Sequence, residues 1–296
     1  MRLEHPKQLV KNSVYRSLGE TSLRARRNAR ATTSLRVLMY HKINDTRHNP
    51  VTVPTAVFEE QMGALASLDY TVVSLEDVIA HYSSAVPLPP RAVLITFDDG
   101  YDDNLRSALP ILERHGYPAT LFVPIAYVGE PTPLPHERRL LAEGISNPVL
   151  DWDGVLELER RGVRIESHGI SHRPLAEIDV GDAAREILVS KRRLEDVLGR
   201  RVRAFAYVKG SEAHFKPVHS NLLLQAGYDL GFSAVSGSNS AATDPFRLKR
   251  YNVEPYSIRT FELVLAGACD LVGIKDTVTG TRVRRIFNSA FGTSSQ

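Results

Sequence analysis

Five side chains in three short segments define the chemistry open to this chain. Thr96-Phe97-Asp98-Asp99-Gly100-Tyr101 puts two adjacent carboxylates directly after an apolar run, where a strand gives way to a loop. Neighbouring residues leaving a strand point to different sides, so Asp98 and Asp99 can take separate tasks rather than share one proton. An Asp-Asp-Gly is also an ordinary turn, and Asp102 and Asp103 read as acidic residues at a helix start. His168-Gly169-Ile170-Ser171-His172 likewise follows a strand-like run. Histidines at i and i+4 share a face if the segment makes one helical turn, which suits two imidazoles on one divalent ion. No Glu follows the first His as in the metalloprotease motif, and Pro174 stops a long helix. A third ligand and a base must therefore come from elsewhere, and Asp98 and Asp99 are the pair at hand. His41 closes the run Leu38-Met39-Tyr40-His41. On the same rim its imidazole would titrate near neutrality and could act as a general acid; alone, it is a strand-end histidine. The single Cys269 can form neither an internal disulfide nor a multi-thiolate site, so any metal here is held by His, Asp and Glu.

These segments need strands ending at a common rim, and the chain supplies them. Apolar runs at 37–40, 93–97, 120–123, 163–165, 205–208 and 230–234 read as strands, and 58–68, 104–114, 152–161, 183–198 and 218–226 as helices. Gly116, Gly162, Gly199 and Gly227 stand where left-handed helix caps belong. Alternating strands and helices predict an α/β fold with parallel strands and outer helices, either a barrel or an open doubly wound sheet. In β/α barrels, sites are built at the C-terminal ends of the strands. The stretch from Gly129 to Pro148, with Pro131, Pro133, Pro135 and Pro148, reads as a surface excursion; His136 within it is unremarkable as sequence.

The 296 residues, 43% hydrophobic and 24% charged, exclude a disordered, collagen-like or disulfide-scaffold chain. Net charge is +3, yet residues 1–36 hold nine basic and two acidic side chains, so the remainder is net −4. A nucleic-acid partner is not expected of such an acidic body. Residues 1–34 contain no apolar stretch of signal-peptide type, and the run from Phe261 to Ile274 is too short and too charged to span a bilayer. The expected location is cytoplasmic. In the basic leader, Val10, Val14 and Leu18 recur at helical spacing, which suits either an amphipathic helix in peripheral contact with an anionic membrane or a disordered tail.

Over residues 35–255 the chain resembles the polysaccharide deacetylase family, also called the NodB homology domain or carbohydrate esterase family 4. The resemblance rests on Thr-Phe-Asp-Asp-Gly-Tyr followed by His-x-x-x-His, with support from Leu-Met-Tyr-His, Phe58 and Gln61, the 70–75 segment, Trp152, and Leu248-Lys249-Arg250. It implies an irregular (β/α) barrel of about seven parallel strands in a single domain, 35–273, between the leader 1–34 and a tail 274–296. By position it makes Asp98 the general base and Asp99, His168 and His172 the ligands of a divalent metal, zinc being expected. In the branch opening with a Tyr-His strand it makes His41 the general acid. The implied activity is removal of N-acetyl groups from an aminosugar of a bacterial surface polysaccharide or its precursor.

Two departures from the family pattern stand out. Its third motif is usually Phe-Ala-Tyr-Pro-Tyr-Gly or Phe-Arg-Pro-Pro-Tyr-Gly, and here it reads Phe205-Ala206-Tyr207-Val208-Lys209-Gly210. Val208 replaces a proline of the loop that offers an oxyanion N–H, and Lys209 replaces a tyrosine of the groove wall. Tyr207, Lys209 and Gly210, together with Arg250, are carried over as substrate or oxyanion residues. The arginine that steadies the base in many members is absent at Ala206; Arg250 is a substitute, although a surface salt bridge is its ordinary reading. The usual late Leu-x-His acid is also missing. A noncatalytic, metal-containing glycan-binding protein and a deformylase or amidase of a lipid-linked aminosugar are the competing functions.

Overall fold

The computed structural model describes residues 34–46, 49, 51–267 and 270. The leader's Val10, Val14 and Leu18, the thiol of Cys269 and the expected tail 274–296 lie outside the described residues. In chain order the strands are β1 (Arg36–Tyr40), β2 (Lys42–Ile43), β3 (Thr52–Val53), β4 (Thr71–Val72), β5 (Ala92–Phe97), β6 (Ala119–Val123), β7 (Val163–Ser167), β8 (Ala204–Ala206), β9 (Leu230–Phe232) and β10 (Tyr251–Asn252). The helices are α1 (Thr55–Ser67), α2 (Leu75–Ser84), α3 (Leu109–His115), α4 (Arg138–Ala142), α5 (Trp152–Arg160), α6 (Val180–Leu198), α7 (Pro217–Gln225) and α8 (Ile258–Leu265).

Seven strands run parallel in the order β10-β1-β5-β6-β7-β8-β9, and β4 joins the lower half of β5. The two ends of this sheet meet at residues 248–252. Leu248 N–H donates to Gly231 O at 2.8 Å, Ser233 N–H to Leu248 O at 2.8 Å and Arg250 N–H to Val235 O at 3.0 Å, while β10 pairs with β1. The expected irregular barrel of about seven parallel strands is therefore the observed fold. Among the described residues no helix is long and apolar enough to cross a membrane.

Alternation along the strands makes two cores. Leu38, Tyr40, Val93, Ile95, Phe97, Leu121, Ile165 and Phe205 face the helices. Val37, Leu94, Phe122, Ala206, Leu230 and Phe232 cluster on the other face with Leu75, Val78 and Ile79 of α2, which plugs the inside of the barrel. A strand buried on both faces reads as a continuous apolar run, which is why β5 was legible as Ala-Val-Leu-Ile-Thr-Phe. Tyr40, Phe58 and Phe97 lock α1 to the sheet with centroid separations of 5.1 to 5.9 Å. Asp151 and Asp179 cap α5 and α6, and Ser74 with Asp77 makes a capping box on α2.

The structure corrects three local expectations. Asn104–Ala108 forms a wide π-helical turn before α3, where Pro110 lacks the N–H that a regular helix would use. β8 and β9 end at Ala206 and Phe232, short of 208 and 234, because the chain turns out of the sheet at the rim. The His168–His172 segment is a loop, not a helical turn.

The seam tolerates little added bulk. A Cβ on Gly231 would lie 2.7 Å from Phe246 O and 3.0 Å from Leu223 Cδ1. Gly231→Ala should destabilise the fold by about 1–3 kcal/mol through overpacking, measured as a lower denaturant midpoint. A variant with the wild-type midpoint would show that the seam yields freely.

Candidate active site and metal centre

Parallel registers bring the predicted residues to one rim. Tyr40 pairs with Phe97, so His41 and Asp98 leave neighbouring strands at the same level. Ser167 pairs with both Val123 and Phe205, which sets His168 beside Ala206. Asp99, His168 and His172 converge, with their ligating atoms all within 4.8 Å of one another. Asp99 Oδ1 lies 2.9 Å from His172 Nε2 and 3.5 Å from His168 Nε2.

The donor set fits a divalent metal on two counts. Asp99 Oδ1 is buried and lacks a hydrogen bond of proper geometry, although two imidazole nitrogens are close. His168 Nδ1 is 2.8 Å from Ala206 O, and a carbonyl accepts only, so Nδ1 carries the proton and Nε2 offers its lone pair. Burial pushes His168 down to about 4, so this ring is neutral at physiological pH. Burial opposes charge on His172 and Asp99 too, but their mutual attraction prevails, raising the imidazole and holding the carboxyl well below the usual range. This pairing holds the two side chains together. The backbone contributes strain: Asp99 has φ 75° and His172 φ 55°, left-handed values uncommon outside glycine.

Asp98 faces another way, as the divergence of adjacent residues requires. Its two oxygens accept from Arg250 at 2.7 and 2.8 Å, and both side chains are buried. Arg250 also donates from Nε to Ser233 O at 2.8 Å and lies 5.5 Å from the Phe122 ring centroid. The sequence reading of Arg250 as a surface salt bridge or substrate contact is thereby corrected: the guanidinium is fully enclosed by the barrel and clamps the carboxylate. Burial alone would raise Asp98, and Arg250 with His168 overrides it, so its pKa is lowered. His41 is lowered by burial against the pull of Asp99 and Asp98, and its Nδ1 is buried without a hydrogen-bond partner.

Within the third motif, Tyr207 departs from its expected place at the groove. Tyr207 is 1% exposed, stacks on Phe215 at 4.3 Å and donates its hydroxyl to Phe246 O, while its N–H is spent on Phe232 O. It is a core residue, with neither a face for sugar nor a free N–H for an oxyanion. Lys209 (φ 57°) and Gly210 (φ 55°) form the turn that follows. Lys209 Nζ is exposed, 3.4 Å from Glu177. A Cβ on Gly210 would stand 2.6 Å from Ala234 N, so this glycine lets the loop pack against the chain leaving β9.

The Pro-rich excursion is more than surface. Its Glu137, 2% exposed, pairs with the fully buried Lys42 at 2.5 Å and accepts from Tyr101 at 3.1 Å and Asn147 at 2.6 Å. The next residue back, His136, thereby reaches 3.5 Å from Asp99 Oδ2. Sequence reasoning missed both residues; a Pro-His-Glu in a loop carries no periodicity, and the buried Lys42 partner lies 95 positions away.

Comparison with known proteins agrees with this geometry. The polysaccharide deacetylase family profile matches residues 85–235, half of the chain. The polysaccharide deacetylase-type protein YxkH of Bacillus subtilis (strain 168) is 27% identical over 223 residues, 75% of this chain and 72% of its own. A poly-beta-1,6-N-acetyl-D-glucosamine N-deacetylase of Escherichia coli (strain K12) is 28% identical over 135 residues, 44% of this chain and only 20% of that protein. The solved Streptococcus pyogenes deacetylase PplD, determined in complex with acetate, superposes with a TM-score of 0.67 over 79% of this chain and 98% of its own; at 23% identity this speaks for the fold. Matched profile, barrel and motifs together lead to one assignment: this chain belongs to the polysaccharide deacetylase family, hydrolases that act on carbon–nitrogen bonds.

Proposed function

We propose that the protein removes N-acetyl groups from an aminosugar of a bacterial surface polysaccharide or its precursor, with Asp98 as base, His41 as acid and Asp99, His168 and His172 as metal ligands. The observation that carries this reading is the division of labour on one rim: a ligand-ready Asp-His-His set beside a carboxylate kept ionised by an enclosed arginine. A divalent ion in that set, zinc being the natural candidate for two imidazoles and a carboxylate, would polarise the amide carbonyl and ease deprotonation of water. Asp98 accepts the proton of the attacking water, Arg250 orienting its two oxygens. As the new C–O bond forms, the C–N bond breaks, and His41 gives a proton to the departing sugar amine. Free amine and acetate are the products.

The poly-beta-1,6-N-acetyl-D-glucosamine enzyme among the relatives supplies the first substrate to try. Acetate release and new primary amine should appear on β-1,6-linked N-acetylglucosamine oligomers. Binding of such oligomers without acetate release would favour the noncatalytic glycan-binding alternative, and turnover of N-formyl but not N-acetyl sugars the deformylase.

Asp99→Ala, His168→Ala and His172→Ala should each lower metal occupancy, measured by elemental analysis of the purified variants. Wild-type occupancy in all three would remove the metal assignment. Asp98→Asn should keep the metal and lose about 10²- to 10⁴-fold in kcat; parallel loss of metal would make Asp98 a ligand.

Arg250 sets the pH at which Asp98 works. Burial raises this carboxyl and Arg250 lowers it, so weakening the clamp with Arg250→Lys should move the acidic limb of the kcat/KM profile to higher pH. An unmoved limb would mean that Asp98 is not the titrating base.

A further inference from the structure

We infer that His136 is a positioning residue for the metal-facing carboxylate: its imidazole stands beside Oδ2 of Asp99 and attracts that oxygen, so that Oδ1 is the one presented to the imidazoles of His168 and His172. This inference rests on the metal site proposed above.

The direction of the hydrogen bonds follows from counting protons. Tyr101 Oη is 3.1 Å from Glu137 Oε1 and 2.8 Å from His136 Nε2. Glu137 also pairs with the ammonium of Lys42 and accepts from Asn147. A carboxylate so engaged can only accept, so the one phenolic proton goes to Glu137. Tyr101 must then accept from His136, which fixes the proton of that imidazole on Nε2. Nε2 is also 3.5 Å from Asp99 Oδ2, an electrostatic contact beside the shorter hydrogen bond to Tyr101.

An Nε2 that carries a proton has no lone pair for a metal, so His136 is not a fourth ligand in this arrangement. It is an outer partner of a ligand, a kind of contact that fixes orientation in metal sites. Asp99 is thereby divided: Oδ1 turns to His168 and His172, Oδ2 to His136. The division matters because a carboxylate free to pivot can chelate through both oxygens and take up a position that water or substrate needs. The support behind His136 is rigid. Lys42, Glu137 and Tyr101 are each no more than 2% exposed, and Asn49 bridges Lys42 and Asn147. The Pro-rich excursion thus reaches across the rim to hold a ligand's far oxygen.

The test is metal affinity and spectrum of the full-length protein. Metal-free wild type, His136→Ala, His136→Gln, Tyr101→Phe and Asp99→Ala are titrated with Zn²⁺ against a chromophoric chelator, and with Co²⁺ followed by its visible absorption. His136→Ala should weaken Zn²⁺ binding about 10- to 100-fold and change the Co²⁺ band as the carboxylate pivots. His136→Gln, whose amide N–H can stand near the Nε2 position, should recover most of the affinity and the wild-type band. Tyr101→Phe removes the partner that fixes the tautomer but leaves the imidazole beside Oδ2, and should bind Zn²⁺ more tightly than His136→Ala does. Wild-type affinity in His136→Ala, no recovery in His136→Gln, or a Tyr101→Phe as weak as His136→Ala would each overturn the inference. Asp99→Ala separates this from the underlying site: if it binds like wild type, the metal assignment itself has failed.

Discussion

A carboxylate that stays ionised inside a barrel mouth faces an opposing demand: burial favours its protonated form. Asp98 meets that demand foremost through the two-point clamp of Arg250, itself enclosed and held by Ser233 O, with His168 adding to it. Breaking such a buried pair by removing one partner costs about 3–5 kcal/mol, so the geometry of the whole rim is tied to it. Arg250 lies where β9 and β1 are joined by the 248–252 segment, and it reaches Asp98 only when the sheet is closed there. Barrel closure and the ionisation of Asp98 are therefore one condition seen from two sides.

The ligand side of the site uses a different device. Asp99 follows Asp98 directly, and its left-handed backbone turns it from the Arg250 side to the imidazole side. Strain of this kind costs about 1–3 kcal/mol per residue and persists where its surroundings hold it. Here the surroundings are evident: His172 on one oxygen, His136 facing the other, and Gly100 at φ 72° continuing the turn. Adjacent aspartates with opposed duties thus need no change of strand, only a twist of one residue.

How much of this could be read from sequence follows from distance along the chain. The strands were legible because apolar runs are local, and the Asp-Asp and His-x-x-x-His segments because each is complete within five residues. Arg250 was offered as a substitute for the missing arginine but read first as surface, because its partner is 152 positions away and a lone Arg after a Lys looks exposed. His136 and Glu137 were passed over because a Pro-rich stretch advertises exposure, whereas Lys42 draws Glu137 inward. Tyr207 went wrong the opposite way: an aromatic in a motif suggests a sugar platform, but alternation and Phe215 turn it into core. The helical turn expected at His168 gives way to a loop in which the two imidazoles meet at Asp99 rather than through i,i+4 geometry.

The seam also has a temporal meaning. Synthesis delivers Asp98 long before Arg250, so a nascent chain complete through β9 holds that carboxylate without its clamp. Until residues 248–252 bridge β9 to β1, Asp98 lacks its arginine and the sheet presents two open parallel edges, a state prone to wrong pairing. The long-range contacts that close it are the slowest to find, because their loop entropy must be overcome before they reward the chain. The surroundings of Asp98 are thus completed late, by the segment that also removes the exposed edges.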